Sequence, residues 1–118
     1  MIYGGDLKQW ERVVSDFLVE VGKGGEMRIV RDLRRMASDG HMYRGNTRPL
    51  GHGIFELKVT HDGKAFRLMY VHHGGTAVFL VCFEKKTQKT PKGKLELAQK
   101  RYASLLKQEV NLGNLKFH

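Results

Sequence analysis

Cysteine is nearly missing from this chain of 118 residues, which has only Cys82. A disulfide framework and a multi-cysteine metal site within one chain are therefore excluded. Cys82 stands inside an apolar run, where it reads as a small buried thiol. Proline occurs twice and tryptophan once. Acidic residues are outnumbered: 12 Asp and Glu face 21 Lys and Arg, for a formal net charge of +9. With a pI near 9.9, the chain favours a polyanionic partner through sequence-independent attraction to phosphate, with nucleic acid first and an acidic protein second. No apolar run approaches the roughly 18 to 20 residues that cross a bilayer, and no basic-then-apolar leader opens the chain. The expectation is a soluble cytoplasmic protein with no membrane partner. Internal repeats and low-complexity tracts are also missing. A chain this long is expected to form one domain over 1–118, burying roughly two thirds of its unfolded surface around one core.

What the chain does have is concentrated between Leu50 and Pro91. The run from Ile54 to Thr60 alternates, with Phe55, Leu57 and Val59 on one side and Glu56, Lys58 and Thr60 on the other, as in a half-buried strand. Asp62-Gly63 supplies the positive-φ positions of a tight hairpin, and a second run follows over 65–72. Gly74-Gly75 repeats the device before a third run, 77–83, which is apolar on both sides. Two-residue turns leave only an antiparallel meander. The doubly apolar third strand calls for cover on both faces, by helices or by a helix pair and a loop.

Upstream, Asp6 reads as an N-cap answered by Gln9. Leu7, Trp10, Val14, Phe17 and Val21 then recur at steps of three and four, predicting an amphipathic helix that stops at Gly22 and Gly24-Gly25. A second helix is predicted over 26–38, with Met27, Val30, Leu33 and Ala37 inward and Arg28, Arg31, Arg34 and Arg35 outward. Gly40 ends it. The short joint makes the two an antiparallel helical hairpin. Residues 39–53 read as a connecting loop with Arg44 and Arg48 exposed. Downstream, Thr90-Pro91 opens a third helix, predicted over 91–109, with Leu95, Ala98, Tyr102 and Leu105 at helical spacing. Residues 110–118 read as a tail that only a partner orders. The fold class is α+β: an N-terminal helical hairpin packed on a three- to four-stranded antiparallel sheet, plus a C-terminal helix.

The polar side of the sheet carries the candidate chemistry. Glu56 and Lys58 share the first strand's polar face. Arg67 interrupts an apolar second strand and must face a wet groove or an ion partner. Lys85, Lys86 and Lys89 follow the third strand and can reach the side of the sheet that Arg67 occupies. A cationic site with one carboxylate suits cleavage of RNA by its own 2′-OH, which needs a base, positive charge for the phosphorane and a proton donor for the departing 5′ oxygen. Glu56 or a lysine of depressed pKa fits the base, Arg67 the bidentate stabiliser, and Lys85 or Lys86 the donor. The plain alternative is a solvated Glu–Lys pair and a soluble lysine turn. His61, at the first turn beside the groove, is a candidate helper. His41, His52, His72 and His73 read as surface residues without zinc-site spacing, and the scheme needs neither metal nor cofactor.

Three runs and a helix, LGHGIFELKV, KAFRLMYV, FLVCFEKKTQKTP and KLELAQKRYASL, resemble the phage-derived branch of the RelE/HigB-like toxins of type II toxin–antitoxin modules. The resemblance covers roughly 50–106 and implies a small α+β fold. It also implies metal-independent endonucleolytic cleavage of mRNA positioned in the ribosome, restrained by an antitoxin that often bears a helix-turn-helix. The family's basic sheet positions fall on Lys58 and Arg67, and its catalytic positions after the last strand fall near Lys85 and Lys86. Arg48, His61, Lys89 and Tyr70 are the accompanying RNA-binding candidates, with Tyr70 or Phe83 for base stacking. Glu56 departs from relatives with lysine in the first strand, and Phe83 and lysines stand where others end in tyrosine or histidine. The same fold also hosts gyrase-directed toxins that cut no RNA, so a non-catalytic binding module is the alternative.

Overall fold

The structure, a computed structural model, describes residues 8–39, 46–73, 76–86 and 91–116. Two helices, α1 (Lys8–Val21) and α2 (Lys23–Asp39), precede four strands, β1 (Thr47–Gly51), β2 (Ile54–His61), β3 (Lys64–His73) and β4 (Thr76–Lys85), and a final helix, α3 (Lys92–Lys116). The strands form one antiparallel sheet in the order β1-β2-β3-β4. The fold class is thus the expected α+β arrangement, with the sheet at its four-stranded limit.

The first helix ends as its pattern predicts. Val14 and Phe17 are buried, Val21 is partly so, and Gly22 turns the chain at φ +85°. The second helix corrects the expectation twice. It starts at Lys23 and takes in Gly24 and Gly25, because those glycines let its first turn come down onto the sheet. A Cβ on Gly24 would lie 2.8 Å from His61 Nε2, and one on Gly25 3.4 Å from the Phe66 ring. Packing here outweighs the roughly 1 kcal/mol that glycine costs inside a helix. Its inner face is Ile29, Leu33 and Met36, whereas Met27 is 68% exposed. Two stripes in this segment have helical spacing, and the chosen one accepts a carboxylate: Asp32 is buried on it with its Oδ1 3.2 Å from an Arg31 nitrogen.

The predicted loop over 39–53 contains β1. Pro49 and a scarcity of apolar residues hid it, but an edge strand tolerates proline because its outward N–H has no ladder partner to lose. Gly51 pairs with Ile54, and the two residues between them, His52 (φ 56°) and Gly53 (φ 80°), make the turn. The turn between β2 and β3 has the expected form, with Asp62 at φ 54° and Gly63 at φ 79°. Asp6, Leu7, Gly40, His41, Arg44, Gly74, Gly75 and Thr90 lie outside the described residues.

Alternation along the strands creates two apolar layers. Leu57, Val59, Phe66, Leu68, Tyr70 and Phe79 pack with Val14, Phe17, Ile29, Leu33 and Met36 of α1 and α2. Ile54, Met69, Val71, Val78, Leu80, Val81 and Phe83 pack with Ala98 and Leu105 of α3. Helices therefore cover both faces of β4, as its apolar run requires. A bulge separates Met69↔Val81 from Tyr70↔Phe79, so Leu80 is an extra residue and joins Val81 in the α3 layer. The guanidinium of Arg101 donates to the Leu80 carbonyl at 2.6 Å. Helix α3 runs well past residue 109, so 110–116 are helical and not the expected tail. Gly113 by itself costs too little to end a helix rich in Leu and Lys.

Gly53 and Gly63, the second residues of the two described hairpin turns, separate two costs. Gly63→Ala meets open space and bears only the left-handed backbone penalty, about 1 kcal/mol. Gly53→Ala has the same penalty and also brings a Cβ to 3.2 Å from the Tyr102 ring on α3. Urea denaturation should show Gly53→Ala as the more destabilised variant; equal losses would contradict the β1–β2 turn's seat against α3.

Candidate functional site

Alternation assigns five charged residues of the sheet to its α3 side. Arg48 lies opposite Glu56, Lys58 opposite Arg67, and Lys85 opposite Ala65, two pairs further along from Arg67↔Phe83. Cross-strand partners share a face, so Arg48, Glu56, Lys58, Arg67 and Lys85 form one row over all four strands. The sequence expectation had united four of these and left Arg48 in a loop.

The centre of the row is Glu56, whose side chain is fully buried. Its Oε1 accepts from Arg67 Nη1 at 2.7 Å and from Arg48 Nε at 3.0 Å. Arg67 is itself largely enclosed, whereas Arg48 is half exposed. Glu56 Oε2 and Arg67 Nε are buried and have no hydrogen-bond partner among the described residues. The carboxylate is thus already engaged by two guanidinium groups and sealed from solvent. That corrects its expected role as a general base, because a base must reach the proton it removes.

Lys85 is 9% exposed at the end of β4. Burial pushes its ammonium below the ordinary lysine value, Arg67 and then Arg48 and Lys58 push it further, and Glu56 opposes them. Like-charge crowding was expected to depress a lysine here; desolvation is the larger cause. Lys58 and Lys86 are exposed at the rim. At the α3 side Lys94 Nζ lies 5.7 Å from the Phe83 ring centroid. Lys94 was missed, since nothing in the spacing of α3 places its first turn over β4.

Several candidates lie elsewhere. Tyr70 is on the opposite face, 0% exposed and stacked on Phe55 at 5.7 Å, so base stacking by it is ruled out unless the core opens. Burial also pushes its phenol above the ordinary value, against a hydrogen bond with Thr47. Phe83 is buried under Lys94 and is likewise no free platform. His61 continues the Leu57–Val59 side and meets Gly24 of α2, away from the charged row. His72 is a partly buried residue that packs edge-on against the rings of both Phe55 and Tyr70. Cys82 is a partly buried thiol whose pKa burial raises, with Arg101 opposing. Lys89 lies outside the described residues. Among those described, no three His, Cys, Asp or Glu side chains gather as a metal site, and no helix is long and apolar enough to cross a membrane.

The sequence pattern of the family described as Phage derived protein Gp49-like (DUF891) matches residues 16–103. The chain belongs to that family. No curated protein and no solved structure matches it. The matched span of this Gp49-like chain takes in the charged row, from Arg48 on β1 to Lys85 on β4.

The buried ion cluster makes two measurable demands. Removing one member of a buried charge pair typically costs about 3–5 kcal/mol, because the other charge stays uncompensated. Glu56→Gln should therefore lose about 3 kcal/mol or more in chemical denaturation, and Glu56→Met with Arg67→Met should recover much of the loss. A loss below about 1 kcal/mol for Glu56→Gln would place the carboxylate in water. For Lys85, a folded pKa below the ordinary 10.5 means that the unfolded chain binds more protons between the two values. Stability contributed by this group then rises with pH in the alkaline window beneath 10.5. Subtracting the stability–pH curve of Lys85→Met from that of wild type should reveal that rise, and a flat difference would remove the perturbation.

Proposed function

We propose that this Gp49-like chain is a RelE/HigB-like toxin of a type II toxin–antitoxin module that cleaves mRNA in the ribosome. The observation that carries the proposal is the row of four cations, Arg48, Lys58, Arg67 and Lys85, gathered about one buried carboxylate, with the one nearly buried lysine depressed in pKa. Membership of a phage-derived family agrees with it. A cognate antitoxin is the implied protein partner.

The roles divide as follows. Lys85 in its neutral form takes the proton of the 2′-OH while O2′ attacks phosphorus and the P–O5′ bond breaks. The products are a 2′,3′-cyclic phosphate and a 5′-OH, whose oxygen takes a proton from a rim cation such as Lys58 or Lys86. Arg67 stabilises the charge that builds on the equatorial oxygens. Glu56 moves no proton and fixes the direction of both guanidinium groups, as a positioning residue. A hydroxyl or phosphate oxygen entering the row would also give Arg67 Nε the partner it lacks.

The test is a translation reaction with a defined mRNA, mapping 3′ ends with and without ribosomes. Wild type should yield new ends bearing cyclic phosphate only with ribosomes, and Arg67→Ala and Lys85→Ala should each slow cleavage by roughly 10²-fold or more. Lys85→Arg keeps the charge but loses the base, so it should fail as well and lose the rise of rate with pH. Melting curves of each variant separate lost chemistry from lost folding. If wild type binds ribosomes and produces no new ends, the endonuclease proposal falls.

A further inference from the structure

The outer surface of α2 is not that of a merely solvated helix. Opposite the inward stripe of Ile29, Leu33 and Met36 stands Met27, 68% exposed. Met27 and Val30, with Glu26, Arg31 and Arg34, line a groove of about 360 Å³. Lys23, Arg28, Arg31, Arg34 and Arg35 are all exposed, and Glu26 is the one exposed carboxylate among the residues of α2 whose side chains are described. Among the described residues, only Arg31 of these five cations is held in an ion pair, with the buried Asp32.

We propose that this face docks an acidic amphipathic helix of a partner protein, with apolar side chains on Met27 and Val30 and carboxylates on Arg34 and its neighbours. A polyanionic nucleic acid would use the cations but leave the thioether and the valine without a partner. An acidic helix matches both, by bidentate carboxylate–guanidinium contacts and by apolar anchors at i, i+3 and i+4. Methionine suits such a seat because its unbranched side chain adapts to the incoming surface. The seat lies on the layer formed by Leu57, Leu68 and Tyr70, whereas Arg67 and Lys85 are on the α3 side. The docked helix therefore leaves the charged row uncovered, and the two surfaces can be occupied together. This inference does not depend on RNA cleavage by the row.

The probe is a synthetic fluorescein-labelled helix with leucines at i, i+3, i+4 and i+7 and glutamates elsewhere, titrated with the full chain by anisotropy. Met27→Asp and Arg34→Glu, both at exposed positions, should each weaken binding roughly tenfold or more, while Lys58→Glu leaves it within about twofold. A methyl-labelled Met27 in the wild-type chain should shift on peptide addition, which needs no variant. A single-stranded oligoribonucleotide should neither displace the peptide nor lose affinity in Met27→Asp. Absence of peptide binding, a Met27 methyl that does not move, or peptide displaced by the oligoribonucleotide would each overturn the proposal. So would peptide binding that falls with Lys58→Glu and not with Met27→Asp.

Discussion

The two-arginine grip on Glu56 is the constraint around which the sheet's charged side is arranged. A carboxylate with no exposure is tolerable only with compensating charge, and Arg67 Nη1 and Arg48 Nε provide it on a single oxygen. The grip joins β1, β2 and β3 across their side chains as well as through their ladders. It also explains why β1 exists in so polar a segment: Thr47-Arg48-Pro49 has little to bury, and the ion pair supplies a reason to pair that hydrophobicity does not. Because Oε1 takes both donors, the second carboxylate oxygen and Arg67 Nε are left without partners among the described residues.

Sheet parity then sorts the chemistry. Every residue of the row faces α3, and every ring of the Phe17, Phe55, Phe66, Tyr70 and Phe79 group lies on the other side or against it. Exposure varies along the row, so Lys58 stays wet while Lys85, on the next strand pair, is nearly enclosed. This gradient from rim to interior depresses one lysine, while its neighbours add positive charge for steering and neutralising an anion.

Much of this was legible along the chain, and the remainder fails for identifiable reasons. Local alternation with turn glycines was enough for β2 and β3, a continuous apolar run for β4, and three-four periodicity for α1 and the start of α3. Where two signals compete, local pattern loses to packing. Gly24-Gly25 reads as a stop until His61 and Phe66 are known to need the room. Met27 reads as core until Ile29 and Asp32 are seen to hold the inner face. Of the site, Lys58 followed from alternation, Arg67 from its interruption of an apolar strand and Lys85 from the order of the meander, whereas the state of Glu56 did not. Whether a strand carboxylate is solvated or buried depends on an arginine eight residues upstream, in a segment whose own pairing was invisible. Tyr70 and His61 were misplaced by the same logic, since a residue near a site in sequence is on the wrong face half the time.

The extra residue in β4 has a consequence for the sign of the site. From His73↔Thr76 to Ala65↔Lys85, β3 advances eight residues while β4 advances nine, and Leu80 absorbs the difference with its carbonyl anchored by Arg101. Paired without that bulge from the same turn, Cys82 would stand across from Arg67 and Glu84 across from Ala65. The row would then hold a second carboxylate in place of its buried lysine, and its surplus of positive charge would shrink by two. A backbone irregularity out of contact with any proposed substrate thus selects which ion the sheet presents, and a guanidinium on α3 serves as its latch.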